Sequence, residues 1–181
     1  MAGNSPAEIT ARIDRLPACW TVWRLVVLLS LGAFFEMYDL FQTAYVSPGR
    51  ISSGIFRVGA KGLFGLTDQA TFAAATFGGL FVGTILFGSV ADKFGRRTIF
   101  TSSMLWSTVA NVTMGLQHTN VGVDLWRFVS GLGIGVELVT IDAYISEFAP
   151  RNIRGRAFAL NQSVQFLAIP GVALASYIFV P

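Results

Sequence analysis

The chain has 181 residues, of which 53% are hydrophobic and 13% charged, with a formal net charge of +3 and a mean hydropathy of +0.60. A soluble domain carries about 25% charged residues, and the apolar residues here are grouped into long runs, the pattern of membrane helices. The basic residues lie between those runs and form no single patch, which argues against a nucleic-acid partner. A single cysteine, Cys19, and a single histidine, His118, exclude an intrachain disulfide, a cysteine metal cluster and any multi-histidine site.

Residues 1–19 form a polar tail that includes Glu8, Arg12, Asp14 and Arg15. The first apolar run begins near Trp20 and exceeds the about 7–15 residues of a secretory signal core, so it is expected to stay in the protein. It predicts a span over residues 20–46, closed by the breakers Ser47-Pro48-Gly49. After a glycine-bearing connection from Arg50 to Asp68, further spans are expected over residues 69–91, 98–116, 121–145 and 157–180. Between the second and third, Gly88 to Arg97 hold Asp92, Lys93, Arg96 and Arg97 around Gly95 and read as a tight basic hairpin. A second basic loop, after the fourth span, carries Arg151, Arg154 and Arg156.

Those two loops and the tail collect most of the lysine and arginine on one face, which places the amino terminus in the cytoplasm. The fold class is all-α: a polytopic membrane bundle over residues 20–181 whose first partner is the lipid bilayer. An odd number of spans leaves Pro181 on the opposite face, so the chain is expected to be part of a longer protein.

Charged residues are costly inside a bilayer and are functional candidates by default. Spans two, three and five avoid them. The first holds Glu36 and Asp39, three apart and therefore on one helix face. The fourth holds Asp124, Arg127, Glu137 and Asp142, with Glu137 about 15 Å along the axis from Arg127. Asp124 is expected to be interfacial and Asp142 to lie near the cytoplasmic surface. The acidic residues recur at corresponding places three spans apart, as in an inverted three-plus-three repeat. Gly131 and Gly135 form a small-xxx-small packing face and not a dinucleotide loop, because no strand precedes them. Asn111 and Asn161 match a glycosylation pattern but fall within spans. No metal-ligand or nucleophile–histidine constellation is present, which argues against an enzyme, and no metal or cofactor is implied.

The stretch Gly88-x-x-x-Asp92-Lys93-x-Gly95-Arg96-Arg97 resembles the signature loop between helices two and three of the major facilitator superfamily. Arg127-x-x-x-Gly131-x-Gly133-x-Gly135, then Tyr144-Ile145-Ser146-Glu147-x-Ala149-Pro150-x-x-x-Arg154-Gly155, looks like the fourth helix and following loop of its sugar-porter-like branch. The resemblance runs from about Trp20 to the end, as the first five of twelve helices. It implies an alternating-access carrier with a small-molecule substrate held between two six-helix halves, of which the carboxy-terminal half is the missing partner.

It further implies that Asp39 is a proton-carrying group paired with Arg127, with Glu36 and Glu137 as modulators. Gln162, grouped with Asn161 and Gln165, would contact substrate. Gly88, Asp92, Lys93, Gly95, Arg96, Arg97, Glu147 and Arg154 would form the gating loops and their cytoplasmic charge network. Two departures bear on the substrate. Glu137 stands where sugar porters generally have a small or neutral residue, and Phe35 to Leu40 looks more like organic-acid and metabolite porters. The expected function is proton-coupled symport of a sugar or organic acid across an inner membrane. The alternatives are a passive uniporter and a truncated, non-transporting fragment.

Overall fold

The computed structural model describes residues 19–57, 59 and 65–179, with the backbone alone at 43, 44, 46 and 88–94. The expected tail of residues 1–18 lies outside the described residues. Six helices follow one another among them: α1 Trp20–Ser52, α2 Asp68–Phe94, α3 Arg96–Gly115, α4 Asn120–Phe148, α5 Arg154–Phe166 and α6 Ala168–Phe179.

The starts of α2 and α4 are written in threonine. Thr67 Oγ1 accepts the Ala70 N–H at 3.3 Å and Thr119 Oγ1 accepts the Gly122 N–H at 3.3 Å, each satisfying a donor that a first helical turn leaves free. Three boundaries differ from the sequence expectation. The breakers at Ser47-Pro48-Gly49 do not end α1, which carries Pro48 inside it and stops only at Ser52. Proline there costs the helix one i→i−4 hydrogen bond, and the last turn continues past it. The stop comes where the Ser53 N–H returns to the Gly49 carbonyl at 3.1 Å and Gly54 takes a φ of +74°.

The expected hairpin is almost wholly helical. α2 continues to Phe94, α3 begins at Arg96, and Gly95 alone separates them with a φ of +87°. That backbone region is open to glycine at little cost and strained for other residues. The fifth expected span is two helices, broken at Leu167, because Pro170 has no N–H to offer the Phe166 carbonyl one turn earlier.

Among the described residues, four stretches are long and apolar enough to cross a membrane: Trp20–Ser52, Asp68–Phe87, Asn120–Phe148 and Arg154–Phe179. Together with the exposed Leu25, Leu28, Phe77, Phe81, Val109, Leu125 and Leu174, they describe a bundle whose outer surface is apolar, as lipid contact requires. The third expected span, α3, has the about 30 Å of its 20 residues but is diluted by serine, threonine and asparagine.

α4 is the axis of the bundle. Its Gly131 and Gly135 meet Gly79 and Gly83 of α2, so the sequence-level packing face exists and has a glycine counterpart. A Cβ on Gly79 would stand 2.2 Å from the Phe128 carbonyl oxygen, and one on Gly83 2.3 Å from that of Leu132. In the other direction, a Cβ on Gly131 would stand 2.6 Å from the Thr76 oxygen and one on Gly135 2.3 Å from the Leu80 oxygen. Thr84 Oγ1 spans the same crossing, donating toward the Leu80 carbonyl at 2.9 Å and lying 3.2 Å from that of Gly135. On its α3 side, α4 presents Gly133, and Trp106 Nε1 donates to the Val129 carbonyl at 2.9 Å.

Two hydrophobic clusters close the bundle at its ends. Val26, Ala33, Ile141, Ile145, Ala149 and Ala157 pack where α1 begins and α4 finishes; Phe56, Phe72, Met114 and Val123 pack at the opposite end. Between them lies a layer of buried polar side chains. A side chain forced into the α2–α4 crossing should therefore be costly. Gly83→Ala is expected to lose about 1–3 kcal/mol, occasionally more. Gly115→Ala, with nothing within 4 Å of its Cβ, should stay within about 0.5 kcal/mol. Denaturant unfolding in mixed micelles measures both.

Candidate functional site

The middle of the polar layer is one arginine. Arg127 is fully buried, 0% exposed, and a guanidinium placed there must have its N–H groups satisfied by protein, since lipid offers none. Each neighbouring helix supplies an acceptor. From α1, Asp39 accepts twice: Oδ1 from Arg127 Nη1 at 2.9 Å and its backbone carbonyl from Nη2 at 2.7 Å. From α2, Thr76 Oγ1 accepts from Nε at 3.1 Å; from α3, Asn111 Oδ1 accepts from Nη1 at 3.3 Å. The guanidinium also stands 5.6 Å from the centre of the Phe72 ring, within cation–π range.

The carboxylate is tied as thoroughly. Asn111 Nδ2 donates to Asp39 Oδ2 at 2.8 Å, Ser130 Oγ donates to the same oxygen at 3.3 Å, and Gln42 Nε2 donates to Oδ1. Thr76 passes its own proton to the Phe72 carbonyl at 2.9 Å, which leaves its oxygen facing the arginine. The pair foreseen in the sequence is thus an ion pair of 2.9 Å. Gln42, Thr76, Asn111 and Ser130, which complete it, were not foreseen. The available signal was neutral polar residues recurring in otherwise apolar spans; charge alone overlooks them.

The other candidates distribute as follows. Glu36, 3% exposed, has both carboxyl oxygens buried without a hydrogen-bond partner among the described residues. Glu137, also buried, accepts from Ser107 Oγ at 3.2 Å. On α5, Asn161 and Gln165 are buried and Asn161 Oδ1 has no partner among the described residues, whereas Gln162 points outward and is exposed. At the end where α2 meets α3, Arg96 Nη2 pairs with Glu147 Oε1 at 2.7 Å, tying the start of α3 to the end of α4. Arg154 Nε donates to the Ala149 carbonyl at 3.2 Å, and Arg97 is exposed. The side chains of residues 88–94, among them Asp92 and Lys93 and the site of Gly88, lie outside the described residues.

The family described as sugar (and other) transporter matches residues 25–180. The chain belongs to that family. It is a major facilitator membrane protein, as the Gly88–Arg97 signature implied, and its relatives are transporters and not enzymes.

A Bacillus subtilis protein named for metabolite transport is 26% identical over 171 residues, 94% of this chain and 36% of its own length. The niacin transporter of Acinetobacter baylyi is 26% identical over 174 residues, 96% of this chain and 38% of that one. The repressible high-affinity phosphate permease of Neurospora crassa is 28% identical over 151 residues, 80% and 26% of the two chains. The chain thus spans about a third of the length of these relatives.

Energetic ranking follows from burial. Removing Arg127 (Arg127→Met) strands a buried carboxylate and should cost about 3–5 kcal/mol. Asn111→Ala removes a bridge to both partners and should cost about 1–3 kcal/mol. Glu147→Gln, at a pair whose carboxylate is 57% exposed, should stay within about 1 kcal/mol. Unfolding in mixed micelles should return that order.

Proposed function

We propose that this chain carries the amino-terminal part of a secondary transporter in which Asp39 and Arg127 form the proton-responsive element of alternating access. The observation that supports the reading is the position of their ion pair. It joins α1 to α4, in a polar layer between two apolar clusters, and it is the contact to which every helix from α1 to α4 contributes. A proton taken up by Asp39 removes one charge from a balanced pair. The Arg127 contacts with the Asp39 side chain then weaken while those with Thr76 and Asn111 persist, so the α1–α4 contact loosens without the bundle coming apart.

The substrate class follows from the relatives. Niacin and phosphate are both anionic at neutral pH, and a proton moving with an anion offsets its charge. The proposed cargo is therefore a small organic acid or phosphate, more than a neutral sugar. Glu36 and Glu137 act in this scheme as neighbouring carboxyls that modulate the pair, and Asn161, Gln162 and Gln165 lie on the helix that would meet substrate. The basic residues of the tail and of the two loops favour an amino terminus in the cytoplasm, with the carrier held in a plasma (inner) membrane.

The experiment is uptake by the full-length carrier in vesicles with an imposed pH gradient, acid outside. The expected result is accumulation of an anionic substrate driven by the gradient, abolished by Asp39→Asn. Gradient-driven accumulation that survives Asp39→Asn removes Asp39 from the coupling. A wild-type carrier that equilibrates substrate with no response to the gradient replaces symport by passive uniport.

A further inference from the structure

Arg127 does not have Phe72 to itself. At the Phe56 end of the bundle the half-buried Arg50 of α1 stands 5.6 Å from the centre of the same ring and 5.9 Å from that of Phe56. Two guanidinium groups thus share one phenyl ring, and like charges so placed repel. Their counter-charges are unequally placed. Asp39 is bound to Arg127 at close range. Asp124 of α4 stands one turn from Arg127 toward that same end, yet no ion pair joins it to Arg50 among the described residues.

Both groups are left with buried, unused atoms. Arg50 Nε and Asp124 Oδ1 are each buried without a hydrogen-bond partner among the described residues. The sequence expectation of an interfacial, solvated Asp124 does not describe that oxygen. Buried polar atoms are almost always satisfied, so an orphan donor on α1 and an orphan acceptor on α4 call for a physical explanation.

The other charged groups around the pair are Glu36 on α1, Asp68 on α2 and Glu137 on α4; α3 brings the neutral Asn111. Asp68 is already committed, accepting the Asn120 Nδ2 and Arg57 backbone N–H groups on Oδ2, both at 2.8 Å. Glu137 lies ten residues, about 15 Å along the axis, from Arg127 and away from Arg50. Glu36 precedes Asp39 on α1, also away from Arg50. Asp124 lies three residues before Arg127, on the same face of α4 and one turn nearer Arg50.

We propose that Asp124 is a second counter-charge for the two arginines that share Phe72, taking over when Asp39 gives up its charge, with Arg50 closing onto it. With Asp39 charged, Arg127 keeps its close anion, and Arg50 and Asp124 stay apart. With Asp39 neutral, Arg127 loses that anion, and Asp124, three residues away on the same face of α4, is drawn into offsetting both arginines. The outer ion pair closes as the inner one opens, so the Arg50 end of α1 is drawn to α4 as the contact around Asp39 loosens. This inference rests on Asp39 being the group that changes charge.

The test is a mutant cycle on the thermal midpoint of the full-length protein in detergent. Asp124→Asn alone is expected to shift the midpoint by no more than about 2 °C, because the outer pair is open when Asp39 is charged. Combined with Asp39→Asn it should lower the midpoint at least about 4 °C beyond the sum of the single effects. Arg50→Gln, which restores the charge balance, should raise the midpoint of the Asp39→Asn protein and not that of the parent.

Additive effects of the two aspartates, or no recovery with Arg50→Gln, overturn the proposal. If Asp39→Asn does not accumulate, membrane yield replaces the midpoint, and Arg50→Gln must then recover it. The cycle measures no transport. An Asp39→Asn carrier that still accumulates substrate would defeat the functional reading above while leaving this coupling to stand or fall separately.

Discussion

A guanidinium with no water around it has to be supplied with acceptors by the protein, and in this bundle that requirement sets the mutual register of four helices. Arg127 fixes the height of Asp39 on α1, Thr76 on α2 and Asn111 on α3, because each must present an oxygen to a different N–H of one planar group. The clusters at the two ends supply apolar burial but specify position weakly; packed leucines and valines tolerate small shifts that a hydrogen-bonded arginine does not. The pair is better understood as a specifying contact than as a large net source of stability, since desolvation consumes much of what Coulomb attraction returns.

That network is reachable only because α2 and α4 cross so closely. Without Cβ atoms at Gly79, Gly83, Gly131 and Gly135, each backbone lies against the other's carbonyl groups. Thr76, one turn before Gly79 on α2, is thereby carried to within 3.1 Å of an arginine on α4. Packing and chemistry are one device here: small residues bring the helices together, and the adjacent polar residue uses the proximity.

Much of this was legible in the sequence. Long uncharged runs gave the helices, the lysine and arginine distribution gave the connections, and the cost of an intramembrane charge singled out Asp39 and Arg127. Less visible were the residues that make the pair tolerable. Asn111 read as a glycosylation pattern within a span, and Thr76 and Ser130 drew no reading at all, because neutral hydrogen-bonding groups cost little in a hydropathy sum and acquire meaning only beside a charge. Half of the glycine crossing was legible in Gly131 and Gly135; Gly79 and Gly83 lay in a run that reads simply as apolar. Helix ends were misjudged wherever a local breaker competed with a continuing hydrogen-bond ladder. Pro48 yielded to the ladder, whereas Pro170, well inside an expected span, broke it. The side chains of the Asp92–Lys93 signature contribute nothing to this comparison, since they lie outside the described residues.

The polarity of α3 has a consequence for how such a chain is made. Ser103, Ser107 and Asn111 line the side that meets α4 and α1, and they leave the helix short of the hydropathy that the other crossing stretches possess. A segment of that kind partitions poorly from a translocation channel into lipid by itself, since its polar groups have no partners there. One partner, Asp39 of α1, is already made, but Arg127 and Glu137 follow only on α4. The polar side of α3 is therefore fully satisfied only once α4 has joined α1 and α3 in the bilayer.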